Sequence, residues 1–427
     1  MGRGVWAIAD QGLFALANVA LNVLLARWLK PDAYGAFAVG YALYLFIGAF
    51  HTALLTEPLL VFGAGKYSRR PLSYLAVLLR GHWLLTGAGS VLLILAGLLL
   101  RRYDLGPLAQ AMFGLALAVP FSLLMWFGRR AAYLRFRTSL ATIASAVHLV
   151  VLLTGLFALA QANILSIFSA LVAMSAAGAT SGFWLLRKLR STLHDESGEI
   201  ENSAALSVAR DHWRYGRWAT ATTVLMWVPL NFFFVVVSVL VNFEASATLK
   251  ALSNLVLPLL QANAALGSLL LPAMVARARN HDQFKKLLCI SLALFGGIAC
   301  IYSLAVGALS RPLVHLLYGG RYDSEARLLW LLLLIPLADG AMVVMASALR
   351  SLERPDRVFW AQLVVALFVL IAGVAAIRSS GLWGAAAAIV VADLLGTIIL
   401  GFGVLSQLQS RMPVRTVAVA EAAGLIH

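Results

Sequence analysis

Apolar residues in this chain come in blocks of about twenty separated by short polar turns, and that spacing limits what the chain can fold into more than any other feature. A helix rises about 1.5 Å per residue, so about twenty apolar residues cover a hydrocarbon layer of about 30 Å. The blocks fall at 7–26, 36–55, 82–100, 108–128, 139–160 and 163–186, then at 218–241, 251–273, 287–309, 328–349, 359–377 and 382–406. Runs such as Leu92 to Leu100 and Leu329 to Leu334 do not alternate between apolar and polar, as the strands of a barrel must. Only 12% of the residues are charged, against roughly a quarter in soluble domains, so no water-soluble surface can be assembled. The expectation is an all-α polytopic membrane protein of about 12 transmembrane helices.

Basic residues are retained on the cytoplasmic side of a membrane. With the N-terminus inside, 24 of the 33 lysines and arginines fall in inside loops, so both termini are expected in the cytoplasm. The net charge of +15 lies in short loops beside helix ends, where anionic lipid headgroups rather than nucleic acid are the partner to expect.

The one substantial hydrophilic stretch, 187–217, divides the spans into two sets of six. This gives an N-terminal lobe at 1–190, a cytoplasmic linker with a basic aromatic segment at 191–217, a C-terminal lobe at 218–410 and a cytoplasmic tail at 411–427. Each set begins and ends inside, as expected of a parallel repeat, and Pro120 and Pro336 stand at matching places in the fourth and tenth spans. Pro120, Pro229, Pro258 and Pro336 are expected to kink the spans that hold them.

Nucleotide-binding, metalloprotease and hydrolase motifs are absent, which argues against an enzyme and against any cofactor or metal. Within the twelve spans only Asp10, Asp339 and Asp393 carry formal charge. An ionisable group at membrane depth costs at least about 2.5 kcal/mol unless it meets water or a partner, so each is a candidate for ion coupling; the alternative is interfacial hydration for Asp10, near the cytoplasmic end of its span, and a buried hydrogen bond for Asp339 and Asp393. Gln11, Asn18 and Asn22 share one face of the first span, and Asn231, Lys250, Asn254 and Gln261 lie on the seventh and eighth. Together they are candidates for a hydrated substrate cavity, and singly for interhelical hydrogen bonds. Arg129, Arg130, Arg135 and Arg137 crowd one inside turn with Tyr133, while Arg210, Arg214 and Arg217 form a stripe beside Trp213 and Trp218. These arginines suit capture of a phosphate headgroup, and ordinary topology-setting charge is the alternative. His51, His82 and His148 stand apart on separate helices and suggest no metal site, and Cys289 and Cys300, on one helix, cannot pair.

Asp10-Gln11 followed by Ala26-Arg27-Trp28-Leu29-Lys30-Pro31-Asp32-Ala33-Tyr34-Gly35 resembles the opening of polysaccharide biosynthesis transporters. These are the lipid-linked oligosaccharide flippases of the multidrug, oligosaccharidyl-lipid and polysaccharide exporter superfamily. Tyr215-Gly216-Arg217-Trp218, Tyr318-Gly319-Gly320-Arg321-Tyr322 and Gly381-Leu382-Trp383-Gly384-Ala385 extend the resemblance over nearly the whole chain. It implies two six-helix lobes in a V, alternating access, and a cavity lined by spans one, two, seven and eight. It also implies export of a lipid-linked oligosaccharide or polysaccharide precursor, as in lipopolysaccharide assembly, across the bacterial inner membrane. Membrane lipids and the lipid-linked glycan would be partners, with glycan polymerase or glycosyltransferases of the same pathway. A cation-coupled multidrug exporter of the same superfamily is the alternative, and a membrane-embedded glycan-modifying enzyme is a third, for which no acid or base cluster is present.

Overall fold

The computed structural model describes residues 2–64, 66–191, 202–278, 280–352 and 354–410, and among them no strand occurs. The acidic stretch 195–201 and the tail 411–427 lie outside the described residues. Helix α1 (Gly2–Trp28) is followed by α2 (Pro31–His51), which passes through a π-helical turn, Thr52–Thr56, into α3 (Glu57–Ala64). Four long helices complete the first half: α4 (Pro71–Arg102), α5 (Gly106–Leu134), α6 (Thr138–Gln161) and α7 (Ile167–Arg190). The second half opens with α8 (Asn202–Leu240), α9 (Phe243–Ser253), α10 (Leu257–Arg277) and α11 (His281–Ala308). It continues with α12 (Ser310–Tyr318), α13 (Leu328–Leu332), α14 (Ile335–Ser351), α15 (Pro355–Phe368) and α16 (Val374–Ser410).

Nine helices among the described residues are long and apolar enough to cross a membrane, and α8, bent by 53° at Pro229, supplies a tenth crossing. One of the nine, Pro355–Gln409, runs for 55 residues, about 80 Å of helix and too much for one crossing. It folds back at Gly381 (φ 55°, ψ −128°), a conformation that an L side chain rarely adopts. Gly384 there packs on the Ala376 carbonyl, and Arg357 reaches across the resulting hairpin to Gly403 O at 3.1 Å. With that hairpin counted as two crossings the described residues give eleven, and the eighth apolar block falls on α9–α10, broken at Asn254–Val256. The chain is a multi-pass membrane protein, and the twelve blocks of the sequence each find their helix.

Proline explains where many of these helices begin. Pro31, Pro71, Pro107, Pro258, Pro336 and Pro355 all stand in a first turn, where the missing N–H would have had no partner. Pro258 and Pro336 therefore do not kink a continuous span, as the sequence reading had it, but restart a broken one. Pro120 and Pro229 do lie inside helices. The carbonyl that Pro120 deprives of its donor, Ala116 O, takes the Ser90 hydroxyl at 2.6 Å, and Leu117 O takes Ser175 at 3.0 Å. Unpaired backbone groups are costly in a bilayer, so these two serines are what make Pro120 tolerable inside α5. Gly178 of α7 lies against the backbone of Phe121 and Ser122, which lets α5 and α7 form the closest helix pair of the first half.

Helices α10, α11, α14 and α16 pack within the second half, and none of them forms an interface with α1–α7. The halves meet instead through α8, α9 and α12. Residues 202–217, expected as a linker, are the first turns of α8 and lie on the first half: Val208 joins the core of Leu55, Tyr74, Phe127, Ala131 and Leu185. At the face opposite the N-terminus, Gly35 touches the Phe243 backbone and Asn254 Nδ2 donates to Tyr34 Oη at 3.0 Å. Arg27 there donates to Leu316 O at 3.0 Å, and Arg321 donates to Leu29 O. The two halves are thus sealed at that face, while α10 stands away from the first half and leaves Gln261, Ala264 and Ala265 exposed.

Candidate functional site

Toward the N-terminal face, α1, α2 with its π turn, and α5 enclose a cleft of about 190 Å³ lined by Gln11, Phe14, Thr52, Thr56, Trp126, Arg129, Arg130 and Tyr133. A π turn inserts one extra residue into a helix and redirects the side chains that follow, and here it turns Thr52 and Thr56 into the cleft. Arg130 is exposed. Arg129 is not: its guanidinium grips Asp10 through Nε (3.1 Å) and Nη2 (2.7 Å) and lies 4.2 Å from the centre of the Phe14 ring. Asp10, fully buried, also accepts from Tyr133 Oη at 2.7 Å and Ser145 Oγ at 2.5 Å. Two sequence candidates of different kinds, an ion-coupling carboxylate and a headgroup-binding arginine, are therefore partners in one ion pair. Of the remaining arginines, Arg135 is half-buried, and Arg214 and Arg217 are exposed on α8 at the same face.

The amides do not form one wet stripe in this conformation. Asn22 turns back on its own helix to Asn18 O at 2.8 Å, and Asn18 Oδ1 accepts from Tyr41 Oη at 3.3 Å. Lys250, Asn231 and Asn254 are buried as well, with the Lys250 ammonium 5.1 Å from the Tyr41 ring and 4.9 Å from Phe234. The physical reason is the sealed face: these groups lie where α1, α2, α8 and α9 close on one another. Gln11 and Gln261 alone of the set are exposed, Gln11 in the cleft and Gln261 on α10. What sequence reasoning missed is the aromatic column that joins seam to cleft, Tyr34, Phe37, Tyr41, Tyr44 and Trp126, with successive ring centres 5.5–5.8 Å apart. Its signal was present, since residues 34, 37, 41 and 44 repeat at helical spacing.

In the second half Asp339 accepts from Asn263 Nδ2 at 2.9 Å, and the same amide nitrogen approaches Pro336 O at 3.3 Å. It is Asn263, rather than Asp339, that serves the backbone at the Pro336 break, because only the amide can donate. Asp393 is near enough to Asp339 for their charges to interact, and Thr397 ties α16 to Ala338 O at 2.9 Å. His51 and His82, which looked isolated, form a buried pair with Nε2 and Nδ1 2.9 Å apart. Among the described residues no group of three metal-binding side chains occurs.

The start of α8 is fastened to the first half by polar contacts. Asp211 accepts from Lys66 Nζ and Tyr67 Oη, both at 2.6 Å, and Tyr215 donates to Glu57 at 2.8 Å. His212 has its tautomer fixed: Nδ1–H donates to Leu54 O at 2.9 Å, so Nε2 accepts from Tyr74 Oη at 2.7 Å. Burial alone would raise the Asp211 carboxyl, but the Lys66 and Tyr67 hydrogen bonds outweigh it and hold it below the ordinary value, while the Asp211 bond holds Lys66 above its own. A lowered acid stabilises docking above the unfolded value, about 3.9, and loses that effect only as pH falls through the folded value. A raised lysine loses its effect only above about 10.4. Burial pushes His212 down, so its contribution is complete above about 6.5 and fades as pH falls toward the folded value. Proteolysis within 202–217 is expected to stay slow at neutral pH, to rise first from about pH 6 downward as His212 takes up a proton, and to rise again below about pH 4.

No protein-family model matches the sequence, and no curated protein matches it. Solved structures do match. One is an inward-facing multidrug resistance MATE family transporter of the MOP superfamily, with a TM-score of 0.74 at 14% identity over 95% of this chain and 98% of the other. A second is the lipid II flippase MurJ in an inward closed conformation, at 0.69 and 14% over 95% and 89%. The outward-facing conformation of a MATE family transporter gives 0.63 and 12% over 95% and 94%. The described helices, in two halves sealed at one face and joined through α8, thus have the fold of the flippases and exporters of the MOP superfamily.

Proposed function

We propose that the chain is a flippase that carries a lipid-linked oligosaccharide or polysaccharide precursor across the bacterial inner membrane by alternating access. The carrying observation is the chemistry of the open cleft. Arg130 stands exposed among hydroxyls (Thr52, Thr56, Tyr133), an amide (Gln11) and aromatic rings (Phe14, Trp126), and the Asp10 carboxylate beside this group is already held by Arg129. Arginine forks bind phosphate oxygens, while hydroxyls, amides and ring faces suit a polyhydroxylated chain. The N-terminal face is the cytoplasmic one, by the distribution of basic residues, so the sealed end faces outward. The higher TM-score of the inward-facing relative supports that assignment. Arg135, Arg214 and Arg217 collect the headgroup at the mouth, and the aromatic column leads from the cleft toward Lys250, Asn231 and Asn254, which receive the substrate when the seam opens. Asp339 and Asp393 are the groups placed to bind a coupling cation. A polymerase or glycosyltransferase acting on the same glycan is the expected protein partner.

The second reading, a cation-coupled multidrug exporter, draws on the same Asp339 and Asp393 carboxylates in the second half. Deleting the gene separates the two. Accumulation of a lipid-linked sugar on the cytoplasmic leaflet supports the flippase, and its absence together with sensitivity to lipophilic cations supports the exporter. In the complemented strain Arg130→Gln is expected to slow turnover at least about tenfold, because one hydrogen bond to a charged group is worth about 1.5–3 kcal/mol and about 1.4 kcal/mol is a factor of ten. Normal rates at normal expression would remove Arg130 from the site.

A further inference from the structure

His51 and His82 are both fully buried, and neither takes part in the cleft or the seam. Their rings meet edge-on, 5.1 Å between centres, with His51 Nε2 and His82 Nδ1 hydrogen-bonded at 2.9 Å. The outer nitrogens, His51 Nδ1 and His82 Nε2, are buried without a well-directed partner, although the Pro120 carbonyl lies beside His82. Leaving two buried polar atoms unpaired costs about 1–3 kcal/mol each, and a leucine or phenylalanine pair would fill the space without it.

The bookkeeping of protons shows what such a pair can do. Two neutral imidazoles hold two N–H protons among four nitrogens. In one arrangement His51 Nε2–H donates inward, His51 Nδ1 is bare and His82 Nε2 carries the second proton. In the other, His82 Nδ1–H donates inward, His51 Nδ1 carries the second proton and His82 Nε2 is bare. Adding a proton at His51 Nδ1 and removing one at His82 Nε2 converts the first into the second and leaves no net charge behind. Between those events one positive charge sits in an apolar surrounding without a counter-ion, which is costly until water or a moving helix reaches it.

The joint that can move is adjacent. His51 is the last residue before the π turn, and α8 is docked on that turn, with His212 on Leu54 O and Gly216 against Ala53 O. The titratable groups on the surrounding elements are engaged elsewhere or face away. Glu57 of α3 holds Tyr215, Arg80 of α4 is exposed, Arg129 of α5 holds Asp10, Arg130 faces the cleft, and Asp211 of α8 holds Lys66. Among the described residues the ring that acts electrostatically on His51 is His82.

We propose that the buried His51–His82 pair is a proton-binding site, taking up and passing on one proton as the two halves change position, with the π turn of α2 transmitting its occupancy to α8. This rests on the alternating-access reading and adds the identity of a coupling ion and its acceptor in the first half.

The test uses the full chain in lipid nanodiscs, with Cys289 and Cys300 replaced by serine and spin labels at Phe136→Cys and Arg277→Cys, both exposed and on the N-terminal face of opposite halves. Between pH 8 and pH 5 the ratio of short to long interlabel distances is expected to change at least threefold. His51→Asn with His82→Asn should flatten that response. An unchanged response in the double variant or no response in the parent overturns the proposal. Should the double variant fail to fold, 15N imidazole spectra of the unsubstituted protein decide. A hydrogen-bonded pair that protonates or exchanges tautomer in this range supports the site, and two rings that stay neutral and fixed throughout refute it. No glycan enters these measurements, so an intact response together with failed glycan transport would sink the flippase reading and leave the proton site standing.

Discussion

Replacing Asp10 with alanine is expected to destabilise the folded protein by about 3–5 kcal/mol, more than the loss of any other carboxylate in the chain. Asp10 is fully buried and accepts four hydrogen bonds, two from Arg129 and one each from Tyr133 and Ser145. The truncation removes the anion and leaves the Arg129 guanidinium, whose side chain is 10% exposed, against the Phe14 ring without its counter-ion. An uncompensated buried cation accounts for most of the cost, which makes the double variant informative. Asp10→Leu together with Arg129→Met should recover much of the stability, since buried pairs exchanged for apolar groups of similar volume are often neutral. Thermal unfolding of the purified protein checks both outcomes, and an unchanged midpoint in the single variant would mean that the pair is hydrated rather than buried. The pair also bears on coupling. If the double variant still transports, Asp10 is a structural partner of α5, and Asp339 and Asp393 remain as the carboxylates able to bind an ion.

Asp10 also marks how far the sequence could be read. The placement of the crossings was legible because a bilayer demands long apolar runs whatever the tertiary contacts, and each of the twelve blocks overlaps a described helix or broken helix. Element breaks were less so. Pro258 and Pro336 fit equally well inside a kinked helix or at the start of a new one, and only the chain before them, Asn254–Val256 and Leu333–Leu334, decides. The site was legible by residue type and not by partnership. Asp10 and Arg129 stood out singly as a charge in a span and a charge in a loop, and 119 positions of separation hid their contact. His51 and His82 looked isolated for the same reason, being 31 residues apart on different helices. The π turn that aims Thr52 and Thr56 at the cleft leaves no composition signal. The amides stood out as polar groups within spans, but whether they face water depends on which end of the molecule is shut, a property of conformation that no single sequence pattern encodes.

The largest functional effect is expected from a residue without a side chain. A Cβ added at Gly35 would run into the Phe243 carbonyl, so Gly35→Val cannot be accommodated while α2 and α9 are in contact. Neither partner can yield, because the obstacle is backbone in the first turn of α9 and Gly35 itself lies in the first two turns of α2. The bonds that accompany this approach, Asn254 to Tyr34, Arg27 to Leu316 O and Arg321 to Leu29 O, all cross between the halves and would part with it. The obstruction is the Phe243 backbone of the other half, so the variant leaves the packing within each half intact, but the seal at the face opposite the N-terminus is lost. In a background without Cys289 and Cys300, a cysteine at Val256, which is 2% exposed, reports the change. Its reaction with a membrane-impermeant maleimide from the outer side should accelerate at least about tenfold in Gly35→Val, the factor that corresponds to about 1.4 kcal/mol against the closed state. Transport should fall in parallel, because a carrier that cannot shut one side cannot return its site to the other. Unchanged labelling would mean that the halves do not meet at Gly35 in the membrane, and the assignment of Lys250, Asn231 and Asn254 to a seam that opens outward would fall with it.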